Sequence, residues 1–249
     1  MKPEIGSNER IKPDGTKDGR EFSLLCLSSG AIKLLATITM TIDHIGAALL
    51  PQYLFLRMIG RLAFPIYCYM IVNGMFHTRN CVKYILRLTA FALMAEVFFD
   101  LAFFNTAYHL EHQNVFFTLA IGLAVICVIE QIKLKLKGKL YFIALILELF
   151  VLFLGCFIAY VLKTDYSFYG ILMIFGFYEF RFNAMVSCAF QIYINMYLIG
   201  GVQAYAIAAI PVIWMYNGEK GIIEKKLKWF FYLYYPVHLL IIYIIRRIV

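Results

Sequence analysis

The chain has 249 residues, 63% of them hydrophobic and only 15% charged. A soluble domain of that length needs far more polar surface, so composition excludes a water-soluble globular fold. The net charge of +8 does not point to nucleic acid, because the basic residues sit in short turns between apolar runs, where the positive-inside rule puts them.

In chain order, residues 1–30 are polar and contain no signal-peptide core, which predicts a loosely ordered cytoplasmic tail. Residues 31–249 read as one all-α domain, a polytopic transmembrane bundle of about nine helices. The apolar runs place these near 31–49, 54–75, 83–104, 114–131, 140–162, 166–180, 183–199, 202–216 and 229–247. Lys and Arg collect in the tail, at Arg79–Lys83, at Lys133–Lys139, at Arg181 and at Lys220–Lys228. The alternate turns 51–53, 105–113 and 200–201 hold none, and Lys163 is the exception. This asymmetry predicts a multi-pass cell-membrane protein with a cytoplasmic N-terminus, leaving Arg246 and Arg247 on the far side, against the rule. The six cysteines form no CxxC pair and read as small apolar residues.

Ionisable groups inside a bilayer are costly and need a partner or a purpose. Here they include Asp43 and His44 in the first span, Arg57 and Arg61 in the second, and Glu96 and Asp100 in the third. Asn114 opens the fourth span and His238 lies in the last. The topology puts Asp43 to Asn114 in one layer of the far half of the membrane. Arg57 with Arg61, and Glu96 with Asp100, are i,i+4 pairs that can neutralise one another. Asp43 can orient His44 or pair with an arginine. Lys33, Thr37, Met40 and His44 form one helical stripe, a groove suited to an extended ligand. His109 and His112 lack further ligands, so no metal is expected.

The stretches KLLATITMTIDHIG (33–46), LRMIGRLAFPIYCYMIVNGMFHTRN (56–80), AEVFFDLAF (95–103), NVFFTLAIGL (114–123), YNGEKG (216–221) and WFFYLYYPVHLLIIYII (229–245) resemble the TraX family, named for a conjugal-transfer protein that acetylates the N-terminus of pilin. A more distant resemblance is to the membrane acyltransferases that decorate glycans, including heparan-α-glucosaminide N-acetyltransferase. Those glycan acyltransferases carry a basic residue, ten intervening residues and a catalytic His, a spacing that Lys33 and His44 share. Their Arg-x-x-Arg motif has no strict match, since Arg57 and Arg61 stand one residue further apart.

The resemblance implies transfer of an acetyl group from cytoplasmic acetyl-CoA, as co-substrate, to an acceptor amine at the other side, a peptide N-terminus or an amino sugar. On that reading Lys33, Thr37, Arg79, Lys83 and Arg87 hold the acyl-CoA. His44 is then the general base, tuned by Asp43, and Arg57 or Arg61, with Asn114, stabilises the oxyanion. Glu96 and Asp100 support the arginines, and His238 lines the acceptor side. The expected partners are acyl-CoA, a peptide or glycan acceptor, the lipid bilayer and a second copy of the chain, with no nucleic acid. The alternatives are an O-acyltransferase of envelope glycan or lipid and, from another class, a transporter or proton-coupled subunit.

Overall fold

The computed structural model describes residues 26–136, 140–219, 221 and 229–248. The tail up to residue 25, Lys137 and Lys139, and the basic loop Lys220 to Lys228 (Gly221 apart) lie outside the described residues. The described residues form helices with no extended sheet, only two isolated bridges. The helices are α1 (Ser29–Ala48), α2 (Leu54–Gly60), α3 (Ala63–His77), α4 (Cys81–Phe104), α5 (Val115–Lys135), α6 (Tyr141–Val161), α7 (Ser167–Glu179), α8 (Ala184–Ile192), α9 (Ala209–Trp214) and α10 (Phe230–Ile248). The nine expected spans all have helical counterparts, the second being broken into α2 and α3. Among the described residues, five segments are long and apolar enough to cross a membrane: α1, α2 with α3, α5, α6 and α10. The end of the bundle where α1 begins is called basal here, and the end where it stops apical.

Local chemistry sets the boundaries. The side chain of Ser28 accepts from Ala31 N at 3.4 Å, Asn80 from Lys83 N at 2.9 Å, and Asn183 from Val186 N at 3.1 Å, so each begins a helix by satisfying an orphan amide. The break between α2 and α3 follows from Pro65, which has no amide proton and whose ring crowds the carbonyl four residues back, at Arg61. The helix parts at that residue, so the Arg61 side chain leaves a distorted turn. Arg246, anomalous by the charge rule, finds partners at the apical end. Arg246 Nη1 donates to Ala102 O (2.9 Å) and Phe103 O (3.2 Å), the open C-terminal carbonyls of α4.

The stretch after α8 is less regular than its hydropathy suggests. It winds as a π-turn over Tyr193–Ile199, reverses at Gly200 and Gly201 (φ 70° and 57°), and returns as a 3₁₀ segment, Gly201–Ala208, into α9. Backbone groups here need side-chain partners. Gln191 Nε2 reaches Met173 O at 2.9 Å, Asn195 Nδ2 reaches Gln191 O at 2.7 Å, and Gln203 Nε2 reaches Asn195 Oδ1 at 2.9 Å.

α1 packs on α2 and α3, α4 on α5 and α10, and α5 on α6 and α7. The α1–α2 contact is made by small residues. A Cβ added at Gly60 would lie 2.2 Å from Asp43 Cβ, and one at Gly46 would lie 2.7 Å from Leu56 Cβ. Close backbone approach through glycine is how helices pack where there is no hydrophobic drive between them. Gly60→Ala is therefore expected to push α2 off α1 and to destabilise the fold by about 1–3 kcal/mol, as overpacking does. Thermal unfolding in detergent checks this, and an unchanged melting temperature would contradict it.

Candidate active site

The apical half of the bundle is organised by one carboxylate. Asp43, buried on α1, receives both arginines of the broken helix. Arg57 Nη1 lies 2.6 Å from Oδ2, while Arg61 Nη2 lies 2.5 Å from Oδ1 and from Oδ2. Arg57 Nη1 also reaches Asp43 O at 3.2 Å, and Arg61 Nη1 reaches the Tyr166 hydroxyl at 3.2 Å. A buried carboxylate needs such charge-assisted bonds to stay ionised in an apolar bundle. Arg57 and Arg61 line the adjacent cavity, and a second carboxylate, Asp165, lines it too, so the two guanidiniums face two carboxylates in all.

His44 follows Asp43 but points elsewhere, as adjacent helical residues must. Its Nδ1 lies 2.7 Å from Nε2 of His238 on α10. The two ring planes are 9° apart with centroids at 5.0 Å. That separation accommodates the bond plus one ring radius on either side, so the rings meet edge to edge in nearly one plane. Phe103 and Tyr235 pack edge-on against His44, at 5.3 and 5.9 Å between centroids.

Two cavities meet near this histidine. The apical one, of about 290 Å³, is lined by Asp43, His44, Arg57, Arg61, Asp165 and Tyr166 among others. The basal one, of about 320 Å³, runs from Lys33, His77, Thr78 and Gly218 inward to Tyr67 and Tyr235. Met40, Tyr67 and Val115 line both and form the partition. Thr37 donates to Lys33 O at 2.8 Å, so the Tyr67 hydroxyl, 3.0 Å from Thr37 Oγ1, is the donor in that pair. In the basal wall, the Arg87 guanidinium lies 5.1 Å from the Tyr84 ring centroid and 5.2 Å from that of Tyr232.

Several expected placements need correction. Glu96 and Asp100 do not hold the arginines. Glu96 Oε2 accepts from Asn114 N at 3.0 Å and Nδ2 at 2.5 Å, and Asp100 Oδ2 accepts from His109 N at 2.7 Å. The i,i+4 arithmetic identified two pairs that face different neighbours. Asn114 is not placed to stabilise an oxyanion. It is fully buried, its amide donates to Glu96 and to Ala92 O (2.8 Å), and its Oδ1 caps α5 by accepting from Phe116 N at 2.9 Å. Of the two roles open to Asp43 it takes pairing with the arginines, and the imidazole's partner is His238 instead. Lys33 and Arg87 line the basal cavity and Thr37 supports its wall, but Arg79 and Lys83 are exposed and do not line it.

The sequence reading missed Tyr67, Tyr166 and Asp165. Tyr67 is one tyrosine in an aromatic-rich chain, with nothing to mark it. Asp165 had a signal, the polar triplet Lys163-Thr164-Asp165 inside an apolar stretch. That turn is tied to the loop before α5 by Gln113 N to Lys163 O (3.0 Å) and Asp165 N to Gln113 O (2.8 Å), and Thr118 Oγ1 donates to Asp165 O. Its Lys163, Tyr166 and Ser167 have φ of 52°, 61° and 45°. These strained positions are held by the cross-links and aim Tyr166 at Arg61.

Fold and site together define a helical membrane-type protein with a charged histidine site between two cavities. The chain belongs to the TraX family, whose model, described as TraX protein, matches residues 28–246. It is 30% identical over 244 residues to the "Probable fimbrial assembly protein FimC, serogroup H1" of Dichelobacter nodosus, covering 85% of this chain and 93% of that one. It is 53% identical over 38 residues to "Uncharacterized protein RP591" of Rickettsia prowazekii (strain Madrid E), 15% of each chain. No solved structure matches.

His112 pairs with Asp165 across the two apical loops at 3.6 Å. The bond to that carboxylate raises the His112 pKa above the ordinary 6.5, against the effect of burial. A raised histidine stabilises the fold fully below its unfolded pKa, and that contribution is lost as pH rises through the folded value. Asp165→Asn is therefore expected to lower the melting temperature most below about pH 6.5, with the gap closing above it. Both side chains are partly exposed, so the effect is about 1 kcal/mol or less. A gap that does not change with pH would contradict this assignment.

Proposed function

We propose that the protein is an integral-membrane acetyltransferase that moves acetyl from acetyl-CoA, entering at the basal end, to an amine entering at the apical end. The observation that carries this reading is the pair of cavities, divided by Met40, Tyr67 and Val115, with His44 in the apical wall just beyond the partition. Membership of the TraX family and the name of the fimbrial relative support it. The basal end is assigned to the cytoplasm on the distribution of Lys and Arg.

From Ser29 to Met40 the α1 wall of the basal cavity is roughly 16 Å long at 1.5 Å per residue. That depth suits the pantetheine arm, with Lys33 and Arg87 meeting phosphates at the mouth. The acetyl carbonyl reaches the partition. The acceptor amine attacks it from the apical side, and His44 takes the amine proton as the N–C bond forms. Charge developing on the carbonyl oxygen is met by N–H groups of Arg57 and Arg61, already oriented by Asp43. The C–S bond then breaks, and the CoA sulfur leaves with the proton as a thiol. Tyr166 and Asp165 face the acceptor, which is a peptide N-terminus or an amino sugar.

Purified protein with radiolabelled acetyl-CoA and a panel of amines and hydroxyls tests this. CoA release with an amine is expected, falling by about 10²–10⁴-fold in His44→Ala. Release with hydroxyls alone would reassign the acceptor to a glycan or lipid oxygen. No release by folded protein with any acceptor would overturn the reading.

A further inference from the structure

The hydrogen bonds around His238 determine which nitrogen of His44 is free. His238 Nδ1 lies 2.9 Å from the carbonyl oxygen of Tyr234, one turn back on α10. A carbonyl has no proton to give, so His238 Nδ1 carries the hydrogen. In the neutral ring Nε2 is then bare and can only accept. Its partner at 2.7 Å is His44 Nδ1, which must therefore be protonated, leaving the lone pair of His44 on Nε2. His44 lines the apical cavity, and its remaining ring nitrogen is the one available there. The other neutral arrangement puts two lone pairs 2.7 Å apart, with no proton between them.

We infer that His238 is a positioning residue, fixing His44 as the Nδ1–H tautomer so that Nε2 is the base. This rests on the acetyltransferase reading for its catalytic meaning, but the tautomer itself does not. The pair also does more than orient. When the acceptor N–H bond breaks and its proton goes to His44 Nε2, the ring becomes a cation. Its Nδ1 proton can then shift along the short bond to His238 Nε2, leaving His44 neutral with Nε2–H and the charge on His238. That Nε2 proton goes to the departing CoA sulfur as the C–S bond breaks, and the Nδ1 proton returns. Neither the Tyr234 carbonyl nor the Phe103 ring takes part as acid or base.

Pro236, inside the helix, takes away the amide that would bond to the carbonyl of Tyr232, and the buried His238 follows two residues later.

The test is ¹⁵N NMR of histidine-labelled protein in detergent, with the His44 signals assigned by their loss in His44→Gln. A bare Nε2 and a protonated Nδ1 are expected for His44 in the wild type. His238→Leu is expected to show both tautomers, and to lower kcat by about tenfold or more while the KM for acetyl-CoA stays within about twofold. Protonated Nε2 with bare Nδ1 in the wild type would overturn the inference, and so would a single unchanged tautomer or an unchanged kcat in a folded Leu variant. If that variant does not fold, the wild-type spectrum decides. If the protein transfers no acetyl group, the functional reading fails while the spectrum still tests the tautomer.

Discussion

One carboxylate bearing two guanidiniums is the constraint on which the apical half of this protein depends. Asp43 sits on α1 among apolar helices, where an unpaired charge is costly and removal of a partner is strongly destabilising. Holding Arg57 and Arg61 at 2.5–2.6 Å requires three things at once. The helix after α1 must come very close, which Gly46 and Gly60 allow. It must part at Arg61, which Pro65 enforces. The second arginine must be steadied from the far side, which the strained turn carrying Tyr166 does. Each is a local irregularity with a cost of its own, and each is explained by the same ion triad.

The triad frees His44 from the task of neutralising charge. The imidazole turns away from its neighbour Asp43 and meets α10, where His238 and a main-chain carbonyl form a short hydrogen-bonded row. Two polar systems thus lie side by side in one layer: a fixed cluster of guanidinium donors held by Asp43, and a proton-carrying pair on α1 and α10. Acyl transfer to an amine needs both, one for the oxyanion and one for the proton. The partition of Met40, Tyr67 and Val115 is thin enough for both cavities to share its side chains, and the histidine stands at its apical edge.

The helical runs are legible in the sequence because a lipid-facing helix is apolar over its whole length, a signal that needs no periodicity. α6 is the plainest case, with Phe142, Phe150, Phe153 and Tyr160 all exposed. The break at Arg61 and the π–3₁₀ segment near Gly200 are not visible that way, since hydropathy does not register where a backbone bond is lost. Asp43, His44, Arg57 and Arg61 stand out as ionisable groups in apolar runs, and the layer they share follows from topology. Their pairing does not, because a helix places i,i+4 neighbours together without saying which face meets which helix. Glu96 and Asp100 therefore look like partners of the arginines until Asn114 and His109 are seen to occupy them. Tyr67 is legible only from the three-dimensional arrangement, where one ordinary tyrosine becomes a wall of both cavities.

The central claim is that the acetyl group passes between cavities that open at opposite ends of the bundle. Proteoliposomes with uniformly oriented protein test it most directly. Acetyl-CoA is supplied on the basal side only, and a peptide with a free N-terminus or glucosamine on the apical side only. The account predicts acetylated acceptor on the apical side and free CoA on the basal side, with neither substrate crossing. Product formed only when both substrates share one side would contradict it.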